Sequence, residues 1–152
     1  AERLLEHSER LLRLFDIFEL ADSPIRNYSA GQQKKIALCS ALFTDAPLLF
    51  LAEPFSGGLD PAGILALRVL LERLAKQRGR TIVLTTPVPE IVEETADRIV
   101  VIKRGEITFD GTLEALKRQA EGAGTLEEVL ERVIFPETWE SIEQYFAGES
   151  DV

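Results

Sequence analysis

The sequence predicts an α/β protein in which right-handed crossovers join the strands of a parallel sheet. Two short apolar runs, at residues 47–51 and 81–85, have the length and composition of buried strands. Longer segments around them carry leucine and other apolar residues with helical spacing. The order strand, helix, strand, helix, strand is typical of such sheets, whose ligands bind at the carboxyl ends of the strands.

Two helices are expected before the first strand. Apolar residues in 2–18 have the spacing of an amphipathic helix, and the Asp-Ser-Pro sequence at 22–24 interrupts it. A second helix is expected to begin after Gly31 and to end near Phe43.

After residue 44 the sequence predicts strands and helices that alternate along the chain. The run 47–51 is expected to be a strand buried on both faces. Gly79 is expected to end the next helix, and Arg104-Gly105 lies between two strands of a predicted β-hairpin. The predicted helices are 61–77, 88–95, 112–121, 125–134 and 137–146, and the remaining predicted strands are 81–85, 99–102 and 106–109.

Composition excludes several classes of function. The chain has 152 residues and a formal net charge of −9, which argues against a nucleic-acid partner because phosphate binding needs clustered Lys and Arg. Most of the excess charge lies after Lys117, where solvated acidic helices are favoured over a site for a basic partner. A single cysteine, Cys39, fits a reducing cytosol, and one histidine, His7, gives no basis for a zinc site.

The start of the chain and its longest apolar run indicate whether the protein is secreted or inserted in a membrane. The chain does not start with Met or with a secretory signal, which suggests a processed chain or a fragment. The longest apolar run, 46–52, is far shorter than the roughly 18 residues of a membrane-spanning helix.

Four segments in or near the predicted strand-end loops carry the chemistry. They are Tyr28-Ser29-Ala30-Gly31-Gln32-Gln33, Leu48–Pro54, Ser56–Pro61, and 81–86 together with 97–107. In this order they resemble the signature motif, the Walker B strand with its Glu-Pro, the D-loop, and the switch strand with the terminal hairpin of ATP-binding-cassette (ABC) ATPases. The resemblance extends from about residue 10 to residue 116. It implies the second half of a P-loop NTPase (RecA-like) parallel sheet, with a helical subdomain, a terminal β-hairpin and C-terminal helices.

The start of the second helix is the first candidate site. A helix N-terminus attracts anions through its unpaired N–H groups and its dipole, so Ser29 and the amides of Ala30 and Gly31 can grip a phosphate. Alternatively, Ser29 only caps the helix. The resemblance favours the first interpretation and extends it to Gln32, because the family's signature loop contacts the γ-phosphate of a nucleotide held by the partner protomer.

Two acidic residues complete the candidate set. Glu53 follows a predicted buried strand, where a carboxylate can orient or deprotonate water; the alternative is an exposed loop acid. The resemblance implies that Asp60 contacts the opposite protomer. It is also placed to cap the helix that begins at Pro61, and the two roles are compatible.

Departures from the family pattern lie beside these residues. Ala52 replaces an Asp that helps to hold magnesium, and Pro87 replaces the switch His. Gly57-Gly58 stands where one glycine is usual, which changes the spacing to Asp60. The sequence contains no G-x-x-x-x-G-K-[ST] loop. We therefore expect no metal ligands in this chain, no tight binding of ATP or Mg²⁺ by it alone, and no hydrolysis by it alone.

The resemblance implies a division into a helical subdomain with the signature motif (1–44), the C-terminal half of the ATPase core (45–116) and an acidic helical extension (117–152). The segment 124–129 is similar to the tail of export-type members.

The function implied is that of an ATP-binding component of an ABC transporter, coupling ATP binding and hydrolysis to transport. Its partners would be a second nucleotide-binding domain and a membrane permease, which would hold it at the cytoplasmic face of the membrane. The alternative is a catalytically inactive regulatory or interaction protein with the same fold. The chromosome-maintenance and DNA-repair branch is disfavoured, because no sustained heptad pattern precedes Tyr28.

Overall fold

A computed structural model describes residues 2–119 and 124–148, and the chain forms two compact units, Ala1–Pro87 and Val88–Val152. The sequence predicts a division of the chain at residues 44 and 116 into functional segments. The packing of the two compact units does not test this division. That division stays a prediction. None of the helices in the described residues is long and apolar enough to cross a membrane.

The first unit begins with two helices, as predicted. Its elements are α1 (Glu2–Leu14), short 3₁₀ turns at Phe18–Leu20 and Ile25–Asn27, α2 (Ala30–Phe43), β1 (Leu48–Ala52), α3 (Pro61–Arg78) and β2 (Thr81–Thr85). The predicted helix 2–18 is too long, because α1 ends at Leu14. Asp16 then adopts a left-handed φ of 54°, and the flanking Phe15 and Ile17 are both buried. A continuous helix would separate these two side chains by about 200° around its axis.

The parallel pairing predicted between the first two strands is confirmed. Phe50 lies opposite Val83, and the register runs from Leu48↔Thr81 to Ala52↔Thr85. The helix α3 connects the strands, as a parallel pair requires. Gly79 ends α3 in the left-handed conformation, with φ 63°, which a residue without a Cβ adopts readily.

The prediction that the first strand is buried on both faces is wrong. Leu49 and Leu51 are buried, whereas Leu48 is 46% exposed and Phe50 is 72% exposed. Within residues 2–119 and 124–148 this sheet has two strands, and a single crossover helix joins them. A helix that crosses between two strands covers one face of the pair, so the other face stays open.

The second unit contains α4 (Pro89–Thr95), β3 (Ile99–Lys103), β4 (Glu106–Gly111), α5 (Leu113–Lys117), α6 (Leu126–Val129), a π-helical turn (Leu130–Ile134) and α7 (Pro136–Gly148). The predicted hairpin is confirmed. Arg104 and Gly105 both have positive φ, at 54° and 83°, as a two-residue turn with the twist of a β-hairpin requires. The predicted helix 112–121 is shorter than expected, ending at Lys117, and residues 120 and 121 lie outside the described part.

The prediction that the third strand joins the parallel sheet is not met within the described residues. There β3 pairs with β4 alone, in a separate antiparallel sheet. The two-residue turn makes β4 the nearest available partner for β3. The core of this unit is formed by Ile99, Phe109, Leu116, Leu126, Val129 and Ile134.

Candidate functional site

A capping box stabilises the start of α2. Ser29 Oγ accepts a hydrogen bond from the Gln32 amide at 3.3 Å, and Gln32 Oε1 accepts one from the Ser29 amide at 2.9 Å. The capping role considered for Ser29 is therefore present. The capping box does not use the amides of Ala30 and Gly31, the first two residues of the helix. The phosphate-binding role of Ser29, Ala30, Gly31 and Gln32 stays a prediction.

The loop Ser56–Pro61 lies against this helix start. A Cβ built on Gly31 would collide with the carbonyl oxygen of Gly58. Gly57 and Gly58 have φ values of 79° and 89°, which side-chain-bearing residues rarely adopt. The glycines at positions 31, 57 and 58 therefore allow the loop to approach the helix start closely.

An ion pair fastens the same loop to α2. Lys35 Nζ lies 2.7 Å from Asp60 Oδ2, and the Lys35 side chain is only 9% exposed. Asp60 Oδ1 accepts the Gly63 amide at 2.6 Å, so Asp60 caps α3 as predicted. The hydrogen bond from Lys35, followed by that from Gly63, lowers the pKa of the Asp60 carboxyl. Asp60 is 54% exposed, which leaves part of the carboxylate accessible to a second molecule.

Glu53 lies immediately after β1 in a strained backbone conformation, with φ 45°. Its amide donates to Thr85 Oγ1 at 3.0 Å, and its carbonyl oxygen accepts from Lys34 Nζ at 2.9 Å. Ser56 Oγ donates to the Glu53 carbonyl at 3.0 Å and to Oε2 at 3.2 Å. These contacts hold an exposed carboxylate at the carboxyl ends of β1 and β2. Its catalytic role stays a prediction, and strain of this kind is common at functional sites.

The residues present do not fit a magnesium ion. Ala52 ends β1 with a methyl group, which offers no oxygen ligand. No group of three or more His, Cys, Asp or Glu in the described residues is arranged to hold a metal ion. Pro87 lies exposed two residues after β2, and its ring supplies no side-chain donor.

Sequence reasoning missed the contacts that join these segments. Lys34 and Lys35 follow the signature segment directly and were not among the candidate residues, yet they bind the Glu53 carbonyl and the Asp60 carboxylate. One signal was available for Lys35. It occupies the first position of the buried stripe of α2, which continues through Leu38, Cys39 and Leu42, and a lysine in such a stripe needs a partner.

Comparison with known proteins connects this geometry to a family. The sequence profile of the ABC transporter family matches residues 4–56. The daunorubicin resistance ATP-binding protein DrrA3 of Streptomyces coeruleorubidus is 34% identical over 122 residues, covering 80% of this chain and 38% of that protein. The sulfate/thiosulfate import ATP-binding protein CysA of Neisseria meningitidis serogroup A is 39% identical over 115 residues, covering 76% of this chain and 32% of that protein.

A solved structure agrees with the sequence relatives. The ATP-binding subunit of an ABC transporter superposes with a TM-score of 0.76 at 29% identity, over 87% of this chain and 55% of the other. The chain spans roughly a third of the length of the curated relatives described above, at 38% and 32%. The match therefore concerns one part of those proteins.

Proposed function

Because the chain belongs to the ATP-binding proteins of ABC transporters, we propose that it supplies the signature side of an ATP site whose phosphate-binding loop comes from elsewhere. In this role it is part of the ATP-binding component that couples ATP binding and hydrolysis to transport. The family's domains bind ATP and Mg²⁺, but this sequence lacks the loop that cradles the phosphates. The chain would then complete a site rather than form one alone.

The observation that carries the proposal is the construction of the α2 start. Ser29 and Gln32 hold the first turn in place through the capping box, and the amides of Ala30 and Gly31 stay outside it. Such amides, with the positive end of the helix dipole, stabilise an anion. The contribution of an exposed helix terminus is about 0.3–1 kcal/mol, whereas micromolar affinity requires about 8 kcal/mol. The helix start therefore serves as an addition to another phosphate site.

The remaining candidate residues have roles at the same site. Glu53, held at the carboxyl end of β1, would orient water beside a phosphate supplied by the completed site. Asp60, at the end of the Ser56–Pro61 loop, would contact the second nucleotide-binding domain with the exposed part of its carboxylate. The partners would be that second domain and a membrane permease, docked through the helical region 1–44 at the cytoplasmic face.

Two substitutions favour a second candidate function. Ala52 and Pro87 remove an oxygen ligand and a side-chain donor from the strand ends. A regulatory or interaction protein that binds a partner's ATP without supporting hydrolysis would tolerate both changes. The two candidates differ in whether phosphate is released after the site is completed.

The test is an ATP titration by calorimetry. The chain is mixed with a separately purified ABC ATP-binding domain that carries an intact phosphate loop and a hydrolysis-blocking substitution. The chain should tighten the partner's ATP affinity by about two- to fivefold, which corresponds to the about 0.3–1 kcal/mol that an exposed helix terminus contributes. Ser29→Arg should abolish this gain, because a long side chain fills the helix start.

Ser40→Arg is the matched control, since Ser40 lies exposed on α2, eleven residues after Ser29, and its hydroxyl donates to the Ile36 carbonyl. It should leave the gain intact. An affinity that Ser29→Arg does not change would remove Ser29 from the site. An affinity that the chain itself does not change would refute the proposal.

A further inference from the structure

Large apolar side chains of α7 are exposed along one side of the helix. Trp139, Ile142 and Phe146 are 47%, 42% and 60% exposed. At 3.6 residues per turn they lie within about 60° of one another around the helix axis, so they form one apolar surface. Tyr145 borders this surface, and its ring packs edge-on against Phe146 with 5.3 Å between the ring centroids. We call these four residues the α7 stripe.

Only the beginning of α7 is fixed to the rest of the second unit. Lys103 Nζ donates to the Ile134 carbonyl at 2.9 Å and to Glu137 Oε2 at 3.2 Å, and it lies 5.9 Å from the centre of the Phe135 ring. Beyond this attachment the helix is open, because residues 137–147 are all exposed. An exposed apolar surface bordered by polar residues marks an interaction site.

Acidic side chains lie along one flank of the α7 stripe. Glu143 and Glu140 are exposed and lie about 40° and about 100° from Trp139 around the helix, both on the same side. The sequence has no Lys or Arg in residues 133–152. The charge that complements this flank is therefore a row of basic side chains on a partner.

The charges distinguish three kinds of occupant. Helices that lie on a membrane surface carry Lys and Arg on their polar face, and α7 has neither. A second copy of the chain would bring a helix that also lacks basic residues, and two chains of net charge −9 repel each other. A different polypeptide with an apolar groove and a basic rim matches both the stripe and its acidic flank. Sequence alone favoured solvated acidic helices here, and the exposed stripe is the observation that favours a partner.

We propose that the α7 stripe is a docking surface for another polypeptide that presents an apolar groove with Lys or Arg along one rim. The helix would lie in the groove, with Trp139 and Phe146 as its principal contacts, because buried aromatic residues dominate the energetics of such interfaces. The proposal does not depend on the ATP site. Ser29, Glu53 and Asp60 belong to the first unit, whereas α7 belongs to the second.

The fluorescence of Trp139, the one tryptophan of the chain, tests the proposal. The probe is a designed two-helix peptide whose groove is lined by leucine and whose rim carries lysine. Binding should shift the Trp139 emission to shorter wavelength with a saturable dependence on peptide, and added salt should weaken it. A peptide with glutamate in place of each lysine, and one of the same composition in scrambled order, should cause no shift. An equal shift with the scrambled peptide overturns the proposal, because charge alone would then explain the binding.

Substitutions in the chain separate the apolar contact from the charged one. Ile142→Ser together with Phe146→Ser should weaken binding of the lysine-rimmed peptide at least about tenfold. Ile107→Ser is the control, since Ile107 is an apolar residue of β4 in the same unit and is 66% exposed, and it should bind like the unmodified chain. Glu140→Lys together with Glu143→Lys should reverse the preference to the glutamate-rimmed peptide, and it keeps the stripe in case the serine variants lose the helix. Unchanged affinities in both pairs of substitutions overturn the proposal.

The same fluorescence signal tests the two other occupants. Vesicles of equal parts phosphatidylcholine and phosphatidylglycerol should leave the Trp139 emission unchanged, and so should a rising concentration of the chain alone. A shift with vesicles would identify a membrane surface as the occupant, and a shift with concentration would identify a second copy. Either result overturns the proposal.

Discussion

The start of α2 and the carboxyl ends of β1 and β2 belong to the same compact unit, yet they present different chemistry. At the helix start Ser29 and Gln32 complete a capping box, and three glycines allow a close approach of the neighbouring loop. At the strand ends the chain has Ala52 and Pro87, where the family resemblance implies a carboxylate and an imidazole, and Glu53 follows β1.

This contrast indicates which half of a composite site the chain supplies under our proposal. Under the proposed function, the helix start acts on a nucleotide held by another domain, whereas the strand ends would act on a nucleotide of the chain's own. On this proposal the chain presents the groups that act on a partner's nucleotide, and at Ala52 and Pro87 it lacks side chains that would hold a nucleotide of its own. The three predictions that follow perturb one region or the contacts between the two.

The largest effect is expected at the strand ends. The isolated chain should release no phosphate from ATP, with or without Ala52→Asp and Pro87→His, because no loop holds the phosphates. In a fusion with a phosphate-loop-bearing half, the two substitutions should raise phosphate release. Glu53→Gln should then lower it by about 10²- to 10⁴-fold, the range of general base catalysis. Phosphate release by purified protein is the measurement. Turnover by the unmodified chain that Glu53→Gln removes would show that its strand ends are not deficient.

An intermediate effect is expected where the loop meets the helix start. Gly31→Ala places a methyl group against the Gly58 carbonyl, and the resulting overpacking should lower the free energy of unfolding by about 1–3 kcal/mol. Gly124→Ala is the control, because a Cβ there has its nearest neighbour at 3.7 Å, and it should change stability by less than about 0.5 kcal/mol. Urea unfolding followed by circular dichroism measures both. Equal effects would mean that the loop does not lie against Gly31 in solution.

The smallest effect concerns the ion pair that fastens the loop. The pKa of Asp60 is lowered in the folded chain by Lys35, so the stabilisation is fully present above the unfolded pKa of about 3.9 and is lost as the pH falls through the lower folded value. The urea midpoint should therefore decrease as the pH falls below about 4. Asp60→Asn, which keeps a capping side chain, should make this decrease shallower.

Lys35→Met should also make the decrease of the urea midpoint with falling pH shallower, because it removes the largest cause of the lowered Asp60 pKa. The double variant should resemble either single variant if the two residues act as a pair. Fully additive effects on the midpoint would show that Lys35 and Asp60 do not interact.

Local signals allowed much of the fold to be predicted. The capping residues Ser29 and Asp60, the helix end at Gly79 and the hairpin turn at Arg104-Gly105 depend on contacts within a few residues of the chain, and each occurs as expected. The length of α1 was predicted wrongly, because apolar spacing continues past Leu14 although the backbone turns at Asp16. Tertiary burial of Phe15 and Ile17 overrides the helical pattern there.

The family, the order of the motifs and the parallel pairing of the first two strands could be predicted from the sequence. These follow from residue identity and short-range periodicity. Tertiary structure alone decided that Lys35 is buried against Asp60, that Gly58 packs on Gly31, that Glu53 takes a left-handed backbone, and that Phe50 lies on an open face. Each of these depends on segments distant in sequence that meet only when α2, β1 and α3 pack together, and no local pattern specifies that packing.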